Sequence, residues 1–261
     1  MGAQLPFRPE DLKAPPMDGG AFLQFLRQER SKKYPAAPPF YQALCDGKLG
    51  PDDLRLWVKD LYSYWDHGAV YSTGAIFVKT NDEPTRTHML RRMVDIEGED
   101  VVGDLSGSAT PAWEELWLQL GEGLGLERDQ VTSWKPMTRT HFAISTLCSY
   151  SRYWDWSWLD GVATFYAADL HGKEYLGNAY EALKRYHGLP EQSLEFFRVY
   201  LDDLATQLPW EEEALSYWCC TTERQLTAAR AFRERLDIEH ELLYAVDKAR
   251  TDGRIEFQVP A

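Results

Sequence analysis

The chain has 261 residues, is 44% hydrophobic and 26% charged, and carries a net charge of −13. That length supports one sizeable core, while the acidity excludes a nucleic-acid partner or an anionic membrane surface, both of which need a basic face. No apolar run reaches the ~18–20 residues of a bilayer span and no leader pattern opens the chain, so a cytoplasmic location is expected, with no membrane partner.

In chain order, residues 1–19 are rich in Pro and Gly and read as an extended lead-in, residues 20–250 as a single helical domain, and residues 251–261 as a tail. A first helix opens at Ala21-Phe22-Leu23, and a short apolar segment, Phe40 to Leu44, follows a proline break. Pro51 then suits a first helical turn and Asp52 and Asp53 favour its positive end. Leu54, Trp57, Val58, Leu61 and Trp65 fall on one helical face behind it. The next helix starts near Glu83-Pro84 and runs to Gly98, and a Gly/Ser/Asp loop covers 98–110. Pro111 opens a helix whose Trp113, Leu116, Trp117, Leu120 and Leu124 share a face. Helical patterns return over 138–157, 159–186, 190–208 and 210–248, the last free of Gly and Pro from Arg224 to Arg250. No run alternates with the period of a strand. The fold class is therefore all-α, with seven or eight helices.

Several familiar signals are absent: no dinucleotide or P-loop glycine motif, no HExxH and no GxSxG. No CxxC pair marks a zinc site. Cys45, Cys148, Cys219 and Cys220 read as reduced thiols, the adjacent pair as small buried residues. His88 and Asp95 share a helix face, a weak signal for a metal. The acidic run Glu211–Glu213 reads as a solvated helix start. The stretch 59–71 holds Tyr62, Tyr64, Trp65, His67 and Tyr71, dense enough to wall a pocket for a flat ligand, and the stretch 149–158 reads as a second aromatic wall.

Three segments, DGKLGPDDLRLWVKDLYSYW, RRMVDIEGED and WLQLGEGLGLERDQVTSWKPMTRTHFAISTLCSYSR, carry a resemblance to the pyrroloquinoline quinone synthase family, within the heme-oxygenase-like superfamily that also holds thiaminase II and non-heme di-iron oxidases. The resemblance runs from about residue 20 to 248. It implies a seven-helix bundle around a central pocket, usually in a homodimer. The family's W-V-x-x-R-x-x-Y-Q helix is here Trp57 to Trp65: Tyr64 is kept, the arginine is Leu61 and the glutamine is Trp65. Its R-x-x-x-H is Arg92 to Ile96, with the histidine lost, and its early histidine falls at Ala36-Ala37-Pro38. His171 matches the histidine that handles protons and oxygen chemistry, Arg198 matches a substrate-binding arginine, and Arg235 stands where the family has a lysine.

These departures make the pocket drier and less cationic, and a polyanionic substrate needs several cations. A smaller aromatic substrate with one carboxylate fits better. The leading expectation is an O2-dependent oxidase of a specialised biosynthetic pathway with no cofactor. His171 would be its general base and Tyr64 a second catalytic group; Arg92, Arg198, Arg235, Trp65, Leu61 and Ile96 would contact substrate. One alternative is a di-iron oxidase with iron on displaced ligands among His88, Asp95, Glu97 and His171. The other is a non-catalytic small-molecule binding protein. The thiaminase nucleophile is missing, since the helix around Ala163 holds no cysteine.

Overall fold

The computed structural model describes residues 15–34, 38–98, 111–149 and 156–253. Most of the predicted loop at 98–110, most of the lead-in, the end of the tail and most of the second aromatic stretch lie outside them.

Among the described residues there are helices and no strands. In order they are α1 Gly19–Lys33, α2 Pro39–Cys45, α3 Pro51–Ser63, α4 Ala69–Lys79, α5 Glu83–Glu97, α6 Trp113–Gly123, α7 Arg128–Thr132, α8 Thr138–Ser149, α9 Trp158–Ala182, α10 Glu195–Trp218 and α11 Thr222–Asp252. A π-helical turn, Tyr64–Gly68, joins α3 to α4 in one rod. Counted that way there are ten helices, more than the seven or eight expected. The extra ones include α2 and α7, each about two turns or less, too short for a periodic signal to register.

Local chemistry starts these helices. Asp82 accepts from Thr85 N and caps α5. Ser157 and Asp160 form a reciprocal capping box at the head of α9. Asp60, wholly buried on α3, accepts from Met137 N at 2.7 Å and from the Thr140 hydroxyl, tying the start of α8 to α3.

Helix α9 is the axis of the bundle. It is buried on nearly every face over Leu159–Asp169, and α10 and α11 pack along it. An all-round apolar helix is a central one. The sequence places a helix boundary at Pro209, yet α10 runs through it to Trp218. An interior proline costs about 3 kcal/mol; burial of Leu204, Leu208, Ala214 and Leu215 on the inward face offsets that cost, and the helix continues past it. The break falls instead at Cys219-Cys220, where Cys219 is buried and Cys220 exposed, so only one of the pair is the buried thiol expected.

The continuation through Pro209 corrects a second expectation. Glu211 is not at a solvated helix start; it lies mid-helix and wholly buried. No helix among the described residues is long and apolar enough to cross a membrane.

Candidate functional site

Two adjoining cavities lie along α9. The outer one, about 240 Å³, opens between α1, α2, α9 and α11, and Arg30, Tyr34, Tyr41, Glu174 and His240 line it. The inner one, about 30 Å³, lies deeper, between α3, the π turn, α9, α10 and α11. Leu61, Tyr64, Trp65, Tyr200, Glu239 and Leu242 are among its walls. His171 and Tyr175 line both.

His171 thus stands at the boundary. Its Nε2 is buried and makes no hydrogen bond, and its ring lies parallel to that of Tyr175 with centroids 5.9 Å apart. Burial, more than any neighbouring charge, holds the imidazole below its ordinary pKa; Glu239 pulls it up and Arg30 pushes it down. The ring is therefore neutral at pH 7, and Nε2 is left without a partner. In the same wall, Trp65 Nε1 is buried without a partner. The Tyr175 hydroxyl faces the Trp57 indole without reaching hydrogen-bond geometry. Buried polar atoms are rarely left open unless something else visits them.

Tyr64 is the second polar group. Arg235 donates from Nη2 to its hydroxyl and from Nε to Glu239 Oε1 at 2.7 Å. The Tyr64 hydroxyl lies 3.5 Å from the same carboxylate oxygen. Burial raises the Tyr64 phenol well above its ordinary value, so it stays a proton-bearing donor. The π turn carries Tyr64 and Trp65. Its wide turn closes with Ala69 N donating to Tyr64 O, and such single π turns recur at functional sites.

The structure gathers Tyr64, Trp65, Leu61 and His171 around the inner cavity, with Arg235 against Tyr64. It does not gather the rest. Arg198 is on the outer face of α10, over half exposed, bonded to Glu195 and Asp202 of its own helix. A helix-surface arginine cannot reach the pocket, and the expectation that Arg198 holds substrate is corrected. Ile96 is buried but lines neither cavity.

Arg92 is buried too, but its charge is spent internally. Asp169, Glu211 and Asp203 surround it, and its guanidinium lies 4.2 Å above the Phe165 ring. It supports the site from behind: Asp169 also accepts from the hydroxyl of Tyr200, which lines the inner cavity.

Nor do the candidate iron ligands converge. His88 stacks on Trp210 at 4.0 Å and bonds Gln207, Asp95 is exposed, and His171 is in the cavity. Among the described residues no group of three His, Cys, Asp or Glu side chains is arranged to hold a metal. The donors among the described residues do not fit an iron centre.

Tyr175, Tyr200, Glu239, His240 and Arg30 also line the cavities, and none is among the site residues expected from the sequence. Their helices were legible; which face of each points inward was not. Gly172 lies inside α9, ten residues before its end, and makes room for Tyr200: a β-carbon there would lie 2.7 Å from the Tyr200 hydroxyl.

A sequence model of the family described as TENA/THI-4/PQQC matches residues 28–168, which ends just before His171. A bifunctional coenzyme PQQ synthesis protein C/D of Methylorubrum extorquens is 27% identical over 81% of this chain. A pyrroloquinoline-quinone synthase of Acidiphilium cryptum is 26% identical over 82%. The chain spans 52% of the first protein's length and 82% of the second's. Among solved structures, a domain of unknown function with a heme oxygenase-like fold from Shewanella denitrificans superposes with a TM-score of 0.71 at 18% identity, covering 94% of this chain and 99% of that one.

Proposed function

The chain belongs to the TENA/THI-4/PQQC family, and from that membership we propose that it is an oxidase of the pyrroloquinoline-quinone-synthase kind, acting with O2 and no metal on a small planar aromatic substrate. The observation that carries the reading is the open Nε2 of His171 at the boundary of the two cavities. The relatives named as synthases support the reaction class, at low identity.

The substrate ring lies in the outer cavity. Its reactive edge faces His171, which takes a proton as the reaction begins. The oxygen or nitrogen that gathers charge receives a hydrogen bond from Tyr64, whose own oxygen is held by Arg235. The electron-rich anion then passes two electrons to O2. Substrate loses two electrons and two protons, and O2 becomes H2O2; His171 returns its proton to the reduced oxygen. Apolar walls at Leu61, Trp65 and Leu242 keep water from the anion.

The test is oxygen uptake with a panel of hydroquinones, aminophenols and indolines. The expected result is chelator-insensitive uptake with one peroxide per O2, reduced at least about 100-fold in His171→Ala. Uptake that needs Fe(II) would overturn the metal-free step. A second reading rests on the side chains at Leu61 and Ile96, where the resembling family carries its pocket arginine and histidine: a protein that binds such a ring without turning it over. Saturable binding with no oxygen uptake across the panel would assign it.

A further inference from the structure

Resting on the reading of the outer cavity as an aromatic-substrate site, we propose that Arg30 is the anchor for a single carboxylate of that substrate, handed over to it by Glu174. Arg30 on α1 and Glu174 on α9 meet across the outer cavity, Arg30 Nη2 donating to Glu174 Oε2. The guanidinium has five N–H donors. Its Nε is buried and has no partner. A buried donor left open is a cost that an incoming acceptor removes.

The present partner is easily given up. The Glu174 side chain is 59% exposed, and an ion pair with one end in water contributes little. Glu174 can swing into solvent while a ligand carboxylate takes its place and reaches Nε as well, the side-on, two-bond geometry that arginine favours.

Charge limits the ligand to one such group. Among the described residues that line either cavity, Arg30 is the sole arginine or lysine, and the chain as a whole carries −13. A second carboxylate would find no cation. The rest of the outer cavity is built for a ring. Tyr34 and His240 stack at 4.5 Å, and Tyr41 and Tyr175 meet at 4.9 Å; all four line the cavity.

The experiment is calorimetric titration of 2-naphthoate and 2-naphthamide into the wild-type chain, Arg30→Gln, Arg30→Lys and Glu174→Gln. The acid is expected to bind wild type at least tenfold more tightly than the amide. Arg30→Gln erases that preference while still binding the amide, which also shows that the variant is folded. Arg30→Lys keeps part of the preference, and Glu174→Gln tightens the acid severalfold without changing the amide. Equal affinity of acid and amide in wild type, or an unchanged preference in Arg30→Gln, overturns the anchor and leaves the ring site standing. Failure of both probes to bind wild type overturns the ring site and the anchor together.

Discussion

Arg92 donates from Nη2 to Asp169 Oδ2 at 2.7 Å, and the two side chains are 1% and 2% exposed. Nη1 reaches Glu211 Oε1 at 3.1 Å, and Asp203 stands 3.9 Å away. One cation therefore serves three carboxylates from two helices, α9 and α10. Burial, then the charge of Asp169, pushes Glu211 well above the usual carboxylate range.

Removing this cation should destabilise the fold far more than it changes ligand affinity. Arg92→Leu strands buried carboxylates, which costs about 3–5 kcal/mol when one partner of a buried pair is lost. A large fall in the urea midpoint is expected, partly recovered at pH 5 as the carboxylates take up protons. A variant as stable as wild type, with only its substrate affinity lowered, would return Arg92 to the role read from the sequence.

Asp203 links the same cluster to pH. Burial first, opposed by Arg92, raises its pKa to about 6. A carboxyl whose folded value lies above its unfolded one stabilises fully below the unfolded value, and that contribution is lost as pH rises through 6. Asp203→Asn should therefore stabilise the protein at pH 8, by up to about 3 kcal/mol, and leave it nearly unchanged at pH 4. The replacement keeps an oxygen to accept the hydrogen bond from Gln207. Chemical denaturation at the two pH values reads the difference directly.

His171 predicts the opposite slope. Its folded pKa is depressed by burial, so its contribution to stability is present above the unfolded value, about 6.5, and falls away as pH drops below it. The acid limb of the kcat profile should lie below that value, since Nε2 stays free of a proton to lower pH. His171→Gln should abolish the limb together with most of the activity. A limb at or above the ordinary histidine value would mean that another group supplies the base.

Gly172 sets the distance between α9 and α10. A methyl group at this position meets the Tyr200 hydroxyl at 2.7 Å and Cε1 at 3.0 Å, and Tyr200 cannot yield without giving up its bond to Asp169. Gly172→Ala should cost about 1–3 kcal/mol, the usual cost of overpacking. It should also disturb the inner cavity, which both residues line. Adding Tyr200→Phe removes the closest clash and should recover part of the loss in melting temperature; a double variant no better than the single one would place the strain elsewhere.

The sequence by itself determined the all-α class and the start of the α3 rod with its inward face. These follow from period and capping, which are local: Leu54, Trp57, Val58, Leu61 and Trp65 are all buried, as a 3.6-residue repeat requires. His171 and Arg235 were singled out by resemblance, and each sits at or against the cavity wall. Tertiary structure alone decided the rest. Arg92 and Arg198 are both arginines on helices, and nothing local separates them; packing buries one among carboxylates and leaves the other in water. Glu211 stands in an acidic run that reads as surface, yet the helix passes through Pro209 and turns that position inward. Gly172 is one more small residue in a helical pattern until Tyr200 arrives from α10. For Arg92, Glu211 and Gly172 the deciding partner lies on another helix, 119 residues away for the Arg92–Glu211 pair. A periodic pattern tells which face of a helix is apolar, but only the packed bundle tells what that face meets.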